Sequence, residues 1–76
     1  MTRTDDDTGY AQRLHNAADP RTSPWRLAAL ADDPDPDVRT AVAANPSASV
    51  LTVMRLRKDD DAGVRMVVST RQGIGA

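Results

Sequence analysis

The chain has 76 residues and a formal net charge of −1, with ten basic residues, eleven acidic residues and no cysteine. This length allows one small domain, which buries only about 60% of the surface that its unfolded chain exposes. The lack of cysteine excludes disulfides, thiolate metal sites and iron–sulfur clusters, and the balanced charge gives no overall field that would attract nucleic acid or anionic lipid.

The sequence shows no segment that would direct the chain into a membrane. No apolar run approaches the roughly 18 residues of a membrane span, and residues 1–7 carry no apolar signal-peptide core. We therefore expect a cytoplasmic protein with no membrane partner. Every acid is aspartate and nearly every base is arginine, which indicates a GC-rich bacterial or phage genome, such as that of an actinobacterium.

The first predicted helix begins at Tyr10. Tyr10, Leu14, Ala17 and Ala18 have the spacing of an amphipathic helix of two to three turns. Residues 1–9 are polar and lack an apolar period, so we expect a disordered N-terminal tail. The helix itself is polar enough to be the cap of a repeat array, because terminal repeats have one side in water.

The second predicted helix is capped by Ser23 and has Pro24 at its first position. Proline is favoured there because an N–H at this position would have no partner within the helix. Leu27 and Leu30 predict its buried stripe. Trp25 has two roles open to it. It either fills a gap in a thin core or, if it is exposed, anchors an interface.

The third predicted helix follows Asp35, a second N-cap, and Val38 and Val42 predict its buried face. Asp33, Asp35 and Asp37 also alternate as in a calcium loop. An EF-hand loop needs glycine at its sixth position and glutamate at its twelfth, and this stretch has neither. Turn formation and helix capping are therefore the better interpretation.

An imperfect copy of Asp19–Ala44 follows 26 positions later. Asn45-Pro46 repeats Asp19-Pro20, and Val64-Arg65 repeats Val38-Arg39. A period of about 20 to 50 residues is the signature of a solenoid.

The second copy predicts a fourth helix capped by Ser49 and a fifth helix near the C-terminus. The stripe of the fourth is predicted to contain Val50, Val53, Met54 and Arg57, and Leu51 and Leu56 are predicted to widen it. The stripe of the fifth is predicted to contain Val64, Val67 and Val68. Residues 73–76 are rich in glycine and are expected to form a flexible tail.

The alternation of proline-initiated helices, in which Asp-Pro-Asp-Pro-Asp-Val-Arg leads into Ala-Val-Ala-Ala-Asn-Pro, resembles the leucine-rich repeat variant family of HEAT-like α-solenoids. The resemblance runs from Asp19 to Arg71. It implies an all-α domain over residues 10–72: a short right-handed α-solenoid of about two and a half 26-residue repeats, built from α/3₁₀ helix pairs. Some proteins of this family bind a cysteine-ligated iron–sulfur cluster. This chain has no cysteine, so we expect no cofactor.

Arg39 and Arg65 each follow a valine that starts a buried stripe. Binding of phosphate is one role open to them. The better interpretation is a ladder of arginine–carboxylate pairs that fixes the register of stacked repeats. The carboxylates available for it are those of Asp33, Asp35, Asp59 and Asp60.

Two and a half repeats are fewer than the roughly three that usually make a self-sufficient stack. We therefore expect an apolar face that a partner covers. The predicted function is a small non-enzymatic module for protein–protein interaction, with another protein or as a homodimer. The predicted interface residues are Trp25, Leu51, Met54 and Met66.

The alternative function is a nucleic-acid-associated regulator that binds a phosphate backbone. Arg55, Arg57 and Lys58 form the densest basic cluster, and the repeat places Arg65 and Arg71 near it. The adjacent run of three aspartates, residues 59–61, argues against this alternative.

No catalytic or metal-binding constellation is visible. His15 is the only histidine, so no histidine pair exists for a metal or a proton relay. The serines have no paired base. We expect neither an enzyme nor a metal protein.

Overall fold

The computed structural model describes residues 9–73, with side chains up to Arg71. Its helices, numbered in chain order, are α1 (Tyr10–Ala18), α2 (Pro24–Leu30), α3 (Pro36–Ala44), α4 (Val50–Leu56) and α5 (Ala62–Gly73). Residues 9–73 contain no strand, so the predicted all-α fold is confirmed. The two predicted tails lie outside the described residues, except for Gly9, which caps α1, and Gly73, the last residue of α5.

Side-chain caps set the starts of the middle helices. The hydroxyl oxygens of Ser23 and Ser49 each accept a hydrogen bond from the backbone N–H three residues on, at 3.4 and 3.2 Å. The Asp35 carboxylate accepts one from the N–H of Asp37 at 2.9 Å. Each cap satisfies an N–H that the first helical turn leaves without a partner.

The short helices that the resemblance implies to be partly 3₁₀ are α-helices in residues 9–73, and bonds of the 3₁₀ type occur at helix ends, for example those of α2 and α4. The N–H of Asp32 donates to the carbonyl of Ala29 at 3.1 Å, and the N–H of Lys58 donates to that of Arg55 at 3.2 Å. These i→i−3 bonds tighten the last turn before the chain turns into the next helix. The elements themselves are α-helices.

The helices form two layers. In the first layer α3 packs between α1 and α5. In the second, α2 packs on α1 and α3, and α4 packs on α3 and α5. Successive helices thus alternate between the layers, as expected of a short helical-repeat solenoid.

Small aliphatic side chains fill the core between these layers. Several are pairs one repeat apart, such as Leu27 with Val53 and Val38 with Val64, all nearly or fully buried. The buried apolar residues are Ala17, Leu27, Ala31, Val38, Val42, Ala43, Ala48, Val53, Leu56, Val64 and Val68. The chain has no phenylalanine, so this core is thin.

The face that α4 turns to the core differs from the prediction. Its buried residues are Thr52, Val53 and Leu56. Three of the four predicted positions are exposed, namely Val50, Met54 and Arg57. Of the two residues predicted to widen the stripe, Leu56 is buried and Leu51 is exposed. The buried residues Val53 and Leu56 of α4 lie one repeat after Leu27 and Leu30 of α2. The repeat therefore decides which side of α4 faces the core, and the local apolar pattern does not.

Candidate functional site

Two arginine–aspartate pairs connect successive repeats. Arg13 Nε donates to Asp33 Oδ2 at 2.6 Å, and Arg39 Nε donates to Asp59 Oδ2 at 2.8 Å. The aspartate side chains are only 4% and 8% exposed. We call these two pairs the arginine ladder; they confirm the predicted pairing of Arg39 with a carboxylate of the following repeat.

The ionised form of Asp59 is stabilised inside this ladder. Burial opposes its ionisation, but hydrogen bonds from Arg39 and from the N–H of Asp61 outweigh that cost and lower the pKa of Asp59 below its ordinary value. The same bond with Asp59 raises the pKa of the Arg39 guanidinium. The charge of Arg39 is therefore satisfied within the fold rather than offered to a ligand.

Arg65 has the ladder position without a ladder partner. Its Nη1 donates to the Asp59 carbonyl at 2.6 Å, just as Arg39 Nη1 donates to the Asp33 carbonyl at 2.8 Å. No carboxylate side chain within residues 9–71 pairs with Arg65. The prediction that Arg65 also pairs with a carboxylate is therefore wrong for the described part of the chain.

A second series of contacts ties the end of one repeat to the next. Asn45 Nδ2 donates to the carbonyls of Ala17 and Asp19, at 2.8 and 2.9 Å. Arg71 Nη1 donates to the carbonyls of Ala43 and Asn45, at 2.8 and 2.7 Å. In the sequence, Asn45 is recognised only through the repeat of Asp19-Pro20 by Asn45-Pro46, and its role as a donor is not predicted. The available signal was its 26-residue offset from Arg71.

The residues of the predicted nucleic-acid site have separate surroundings. Arg55 pairs with the Asp32 carboxylate, while Arg65 and Arg71 donate to backbone carbonyls. Arg57 and Lys58 are exposed, and neither makes an ion pair within residues 9–71. Of the five predicted residues, only Arg57 and Lys58 therefore have charged groups that make no ion pair or hydrogen bond within residues 9–71.

Trp25 lies outside the core. Its exposed fraction is 79%, and that of Leu51 is 75%. Trp25 and Leu51 are one repeat apart, in the first turns of α2 and α4, and both project from the second layer. The Arg55–Asp32 pair joins the two helices on this surface. We call Trp25, Val50, Leu51 and Met54 the outer apolar face; the core role left open for Trp25 is wrong.

All four predicted interface residues are exposed, but they do not share one surface. Met54 belongs to the outer apolar face on α4, whereas Met66 lies on α5 in the other layer. Met66 is 67% exposed. Its equivalent in α3, Thr40, is only partly exposed. Met66 is thus more exposed than its equivalent one repeat earlier.

An open groove of about 460 Å³ lies between the end of α3 and α5. Its lining residues are Ala44, Pro46, Val67, Thr70 and Arg71. Its polar groups are already engaged, because Thr70 donates to the Met66 carbonyl at 3.0 Å and Arg71 binds the α3 end. The groove therefore offers an apolar surface rather than reactive groups.

Within residues 9–73 there is no group of three or more histidine, cysteine or acidic side chains that is arranged to hold a metal ion. Among the described helices, none has the length and apolarity needed to cross a membrane.

A family model described as a leucine-rich repeat variant domain matches residues 11–72. No curated protein and no solved structure matches the chain. The matched region contains the arginine ladder, the Asn45 and Arg71 contacts and the outer apolar face.

Proposed function

The chain belongs to the leucine-rich repeat variant family, and we propose that it is a non-enzymatic helical-repeat module that binds a protein partner through its outer apolar face. One observation carries the proposal: Trp25 and Leu51 occupy equivalent repeat positions and are 79% and 75% exposed. The repeat thus presents a large apolar side chain outward twice in the same layer, and exposed apolar side chains of this kind mark interaction surfaces.

The energetic reason for this assignment is the size of the two side chains. Burying a large apolar side chain on association contributes about 1.5–3 kcal/mol, and tryptophan is enriched among the residues that dominate binding energy. Trp25 is the only tryptophan in the chain. We therefore assign it as the anchor and Leu51 as its neighbour.

The charges around this face favour an acidic partner. Arg26, Arg57 and Lys58 are exposed on α2 and at the end of α4, and none of them makes an ion pair within residues 9–71. Uncompensated cations beside an apolar face complement a helix with an apolar ridge and acidic flanks. A second copy of the chain is the other partner that we propose, through the side of α5 that carries Met66.

Binding of a phosphate backbone is the second candidate function. The exposure of Arg57 and Lys58 without an ion pair favours it. In this case Arg55, Arg65 and Arg71 would have to leave their present acceptors to join the site. Affinity would then fall steeply with salt.

Site-specific photo-crosslinking in the organism that encodes the chain tests the proposed function. A crosslinker at Ala29, which is exposed one helical turn after Trp25, reports on the outer apolar face. The matched control is a crosslinker at Ala11, an exposed alanine in the other layer. We expect a discrete protein adduct from Ala29 that is absent from Ala11 and disappears with Trp25→Ala. Nucleic-acid adducts, or the same adducts from both positions, would overturn the proposal.

A further inference from the structure

Arg71 contacts the end of α3 with only one of its three side-chain nitrogens. Its Nη1 donates to the carbonyl oxygens of Ala43 and Asn45, at 2.8 and 2.7 Å. Within residues 9–71, Nε and Nη2 of Arg71 have no acceptor, and no carboxylate pairs with this side chain. One edge of the guanidinium therefore keeps two donors that the described fold does not use.

Arg39 shows, in the same fold, what such an edge binds. Its Nη1 also donates to two backbone carbonyls, those of Asp33 and Pro34, at 2.8 and 3.2 Å. Its Nε and Nη2 hold the two carboxylate oxygens of Asp59, at 2.8 and 3.1 Å. Two parallel donors match the two oxygens of a carboxylate, and this geometry adds specificity as well as strength. The unused edge of Arg71 is therefore suited to a carboxylate.

This edge belongs to a side chain that lines the open groove of about 460 Å³. Val67 and Arg71 are one helical turn apart on α5, so they are neighbours on one face, with about 5–6 Å between their Cβ atoms. Ala44 and Pro46 line the groove from the end of α3, and both are exposed. Ligand sites usually have about 300–1,000 Å³ and combine an apolar lining with few polar groups. A ligand that fills this groove therefore needs a carboxylate beside a small apolar body.

The last residue of a peptide has this chemistry. Its α-carboxylate and its side chain branch from the same carbon, so an aliphatic last residue brings charge and apolar surface together. The groove is open, so one side of the ligand stays in water. A peptide backbone is well hydrated there, whereas the alkyl chain of a fatty acid would keep part of its apolar surface exposed. Capture of a C-terminal carboxylate is a recurring mode of peptide recognition.

We propose that this groove binds the C-terminal carboxylate of a protein partner whose last residue is aliphatic, and that Nε and Nη2 of Arg71 hold the two carboxylate oxygens. The site goes beyond the proposed function, because it is formed by α5 and the end of α3 and not by the outer apolar face on α2 and α4. Binding depends on an ion pair of a partly exposed arginine, so it weakens with salt.

A nuclear magnetic resonance titration of the full chain tests this site. The probes are acetylated tetrapeptides that end in valine, leucine or isoleucine, each as the free acid and as the C-terminal amide. With a free acid, we expect saturable shifts of the Arg71 Nε–H signal and of the backbone signals of Ala44, Val67 and Thr70. The matching amide should bind at least about tenfold more weakly, because it lacks the charged acceptor. Octanoate, the comparison for a fatty acid, should also bind more weakly than the peptide acid.

Variants at the groove separate the paired donors from the charge. Arg71→Lys keeps a cation but loses the paired donors, and it should bind the peptide acid about tenfold more weakly. Arg21→Gln removes the charge of an exposed arginine outside the groove and should bind like the wild type. Thr70→Glu adds a carboxylate to the lining and should prevent binding. Its control is Ser69→Glu, at an exposed neighbour outside the lining, which should retain binding.

Circular dichroism confirms that each variant is folded. The proposal is overturned if no free acid of the set binds, if acids and amides bind equally, if Arg71→Lys binds like the wild type, or if octanoate binds as tightly as the peptide acids. Shifts centred on the Trp25 indole would also overturn it, because they would place the peptide on the outer apolar face.

Discussion

Asn45 and Arg71 lie one repeat apart and make the same contact with different chemistry: each places one nitrogen between two carbonyl oxygens at the end of the preceding first-layer helix. The carbonyls at a helix C-terminus have no partner within the helix. A side-chain donor that reaches two of them satisfies the helix end and fixes the spacing between repeats. Such a position tolerates a change of residue type only if the donor is kept.

The first prediction concerns this donor. Asn45 is 2% exposed, so Asn45→Ala should leave buried carbonyls without a donor and lower the free energy of unfolding by about 1–3 kcal/mol. Asn45→Asp should cost more. The aspartate keeps the oxygen that accepts a hydrogen bond from the N–H of Ser47. Its second carboxylate oxygen, however, replaces the donor and is repelled by the carbonyl oxygens of Ala17 and Asp19. Urea denaturation measures both values. An Asn45→Asp variant as stable as the wild type would contradict the role of the donor.

The second prediction concerns pH. The pKa of Asp59 is lower in the folded chain than its value of about 3.9 in the unfolded chain. The ionised carboxylate therefore contributes its full stabilisation at pH values above the unfolded-state pKa. This stabilisation is lost as the pH falls through the pKa of the folded state. Asp59→Asn should cost about 1–3 kcal/mol at pH 7. This difference from the wild type should shrink below about pH 4.

Asp60→Asn is the control for this pH effect. The Asp60 side chain is 97% exposed and lies 3.4 Å from Arg39, and an exposed pair contributes only about 0–1 kcal/mol. Urea denaturation at several pH values compares the two variants with the wild type. If the cost of Asp59→Asn is the same at neutral and acid pH, the ionised ladder is not what stabilises the fold.

The third prediction contrasts two neighbouring side chains on α2. Leu27 is fully buried and Trp25 is 79% exposed. Leu27→Ala should therefore cost about 2–5 kcal/mol, which is a large fraction of the stability of a small domain. Trp25→Ala should change stability by less than about 0.5 kcal/mol. Thermal unfolding followed by circular dichroism distinguishes them, and comparable losses would place Trp25 in the core.

The fourth prediction concerns Tyr10, the only tyrosine. Its hydroxyl donates to Asp37 Oδ2 at 3.0 Å, and this hydrogen bond raises the pKa of Tyr10 above its ordinary value. Any stabilisation from this bond is present at neutral pH and is lost as pH rises through the raised pKa. Ultraviolet titration should show a higher midpoint in the wild type than in Asp37→Asn. Equal midpoints would mean that the bond is not formed in solution.

The repeat period and the helix starts could be predicted from sequence because both depend on local chemistry that recurs. Ser23, Asp35 and Ser49 are caps whose hydrogen bonds span two or three residues. The 26-residue offset then placed Val38 and Val64 on equivalent buried faces.

Other features depended on tertiary packing and could not be predicted from local pattern. Within residues 9–73 no third layer lies over the outer side of α2, so an apolar Trp25 stays in solvent although its residue type suggests a core position. In α4, the register of the repeat overrides the more apolar stripe that includes Val50. Asn45 and Arg71 share a role that a comparison of residue types does not reveal, because the two side chains have only a nitrogen donor in common.

The central claim is that the folded chain holds its one tryptophan in solvent for a partner. Acrylamide quenching of Trp25 fluorescence tests it most directly, since no other tryptophan contributes to the signal. In a dilute, folded sample we predict quenching nearly as efficient as in the urea-unfolded chain, with protection appearing when a partner isolated by crosslinking at Ala29 is added. A tryptophan already shielded in the dilute folded chain, or one that stays fully accessible in the complex, would contradict the account.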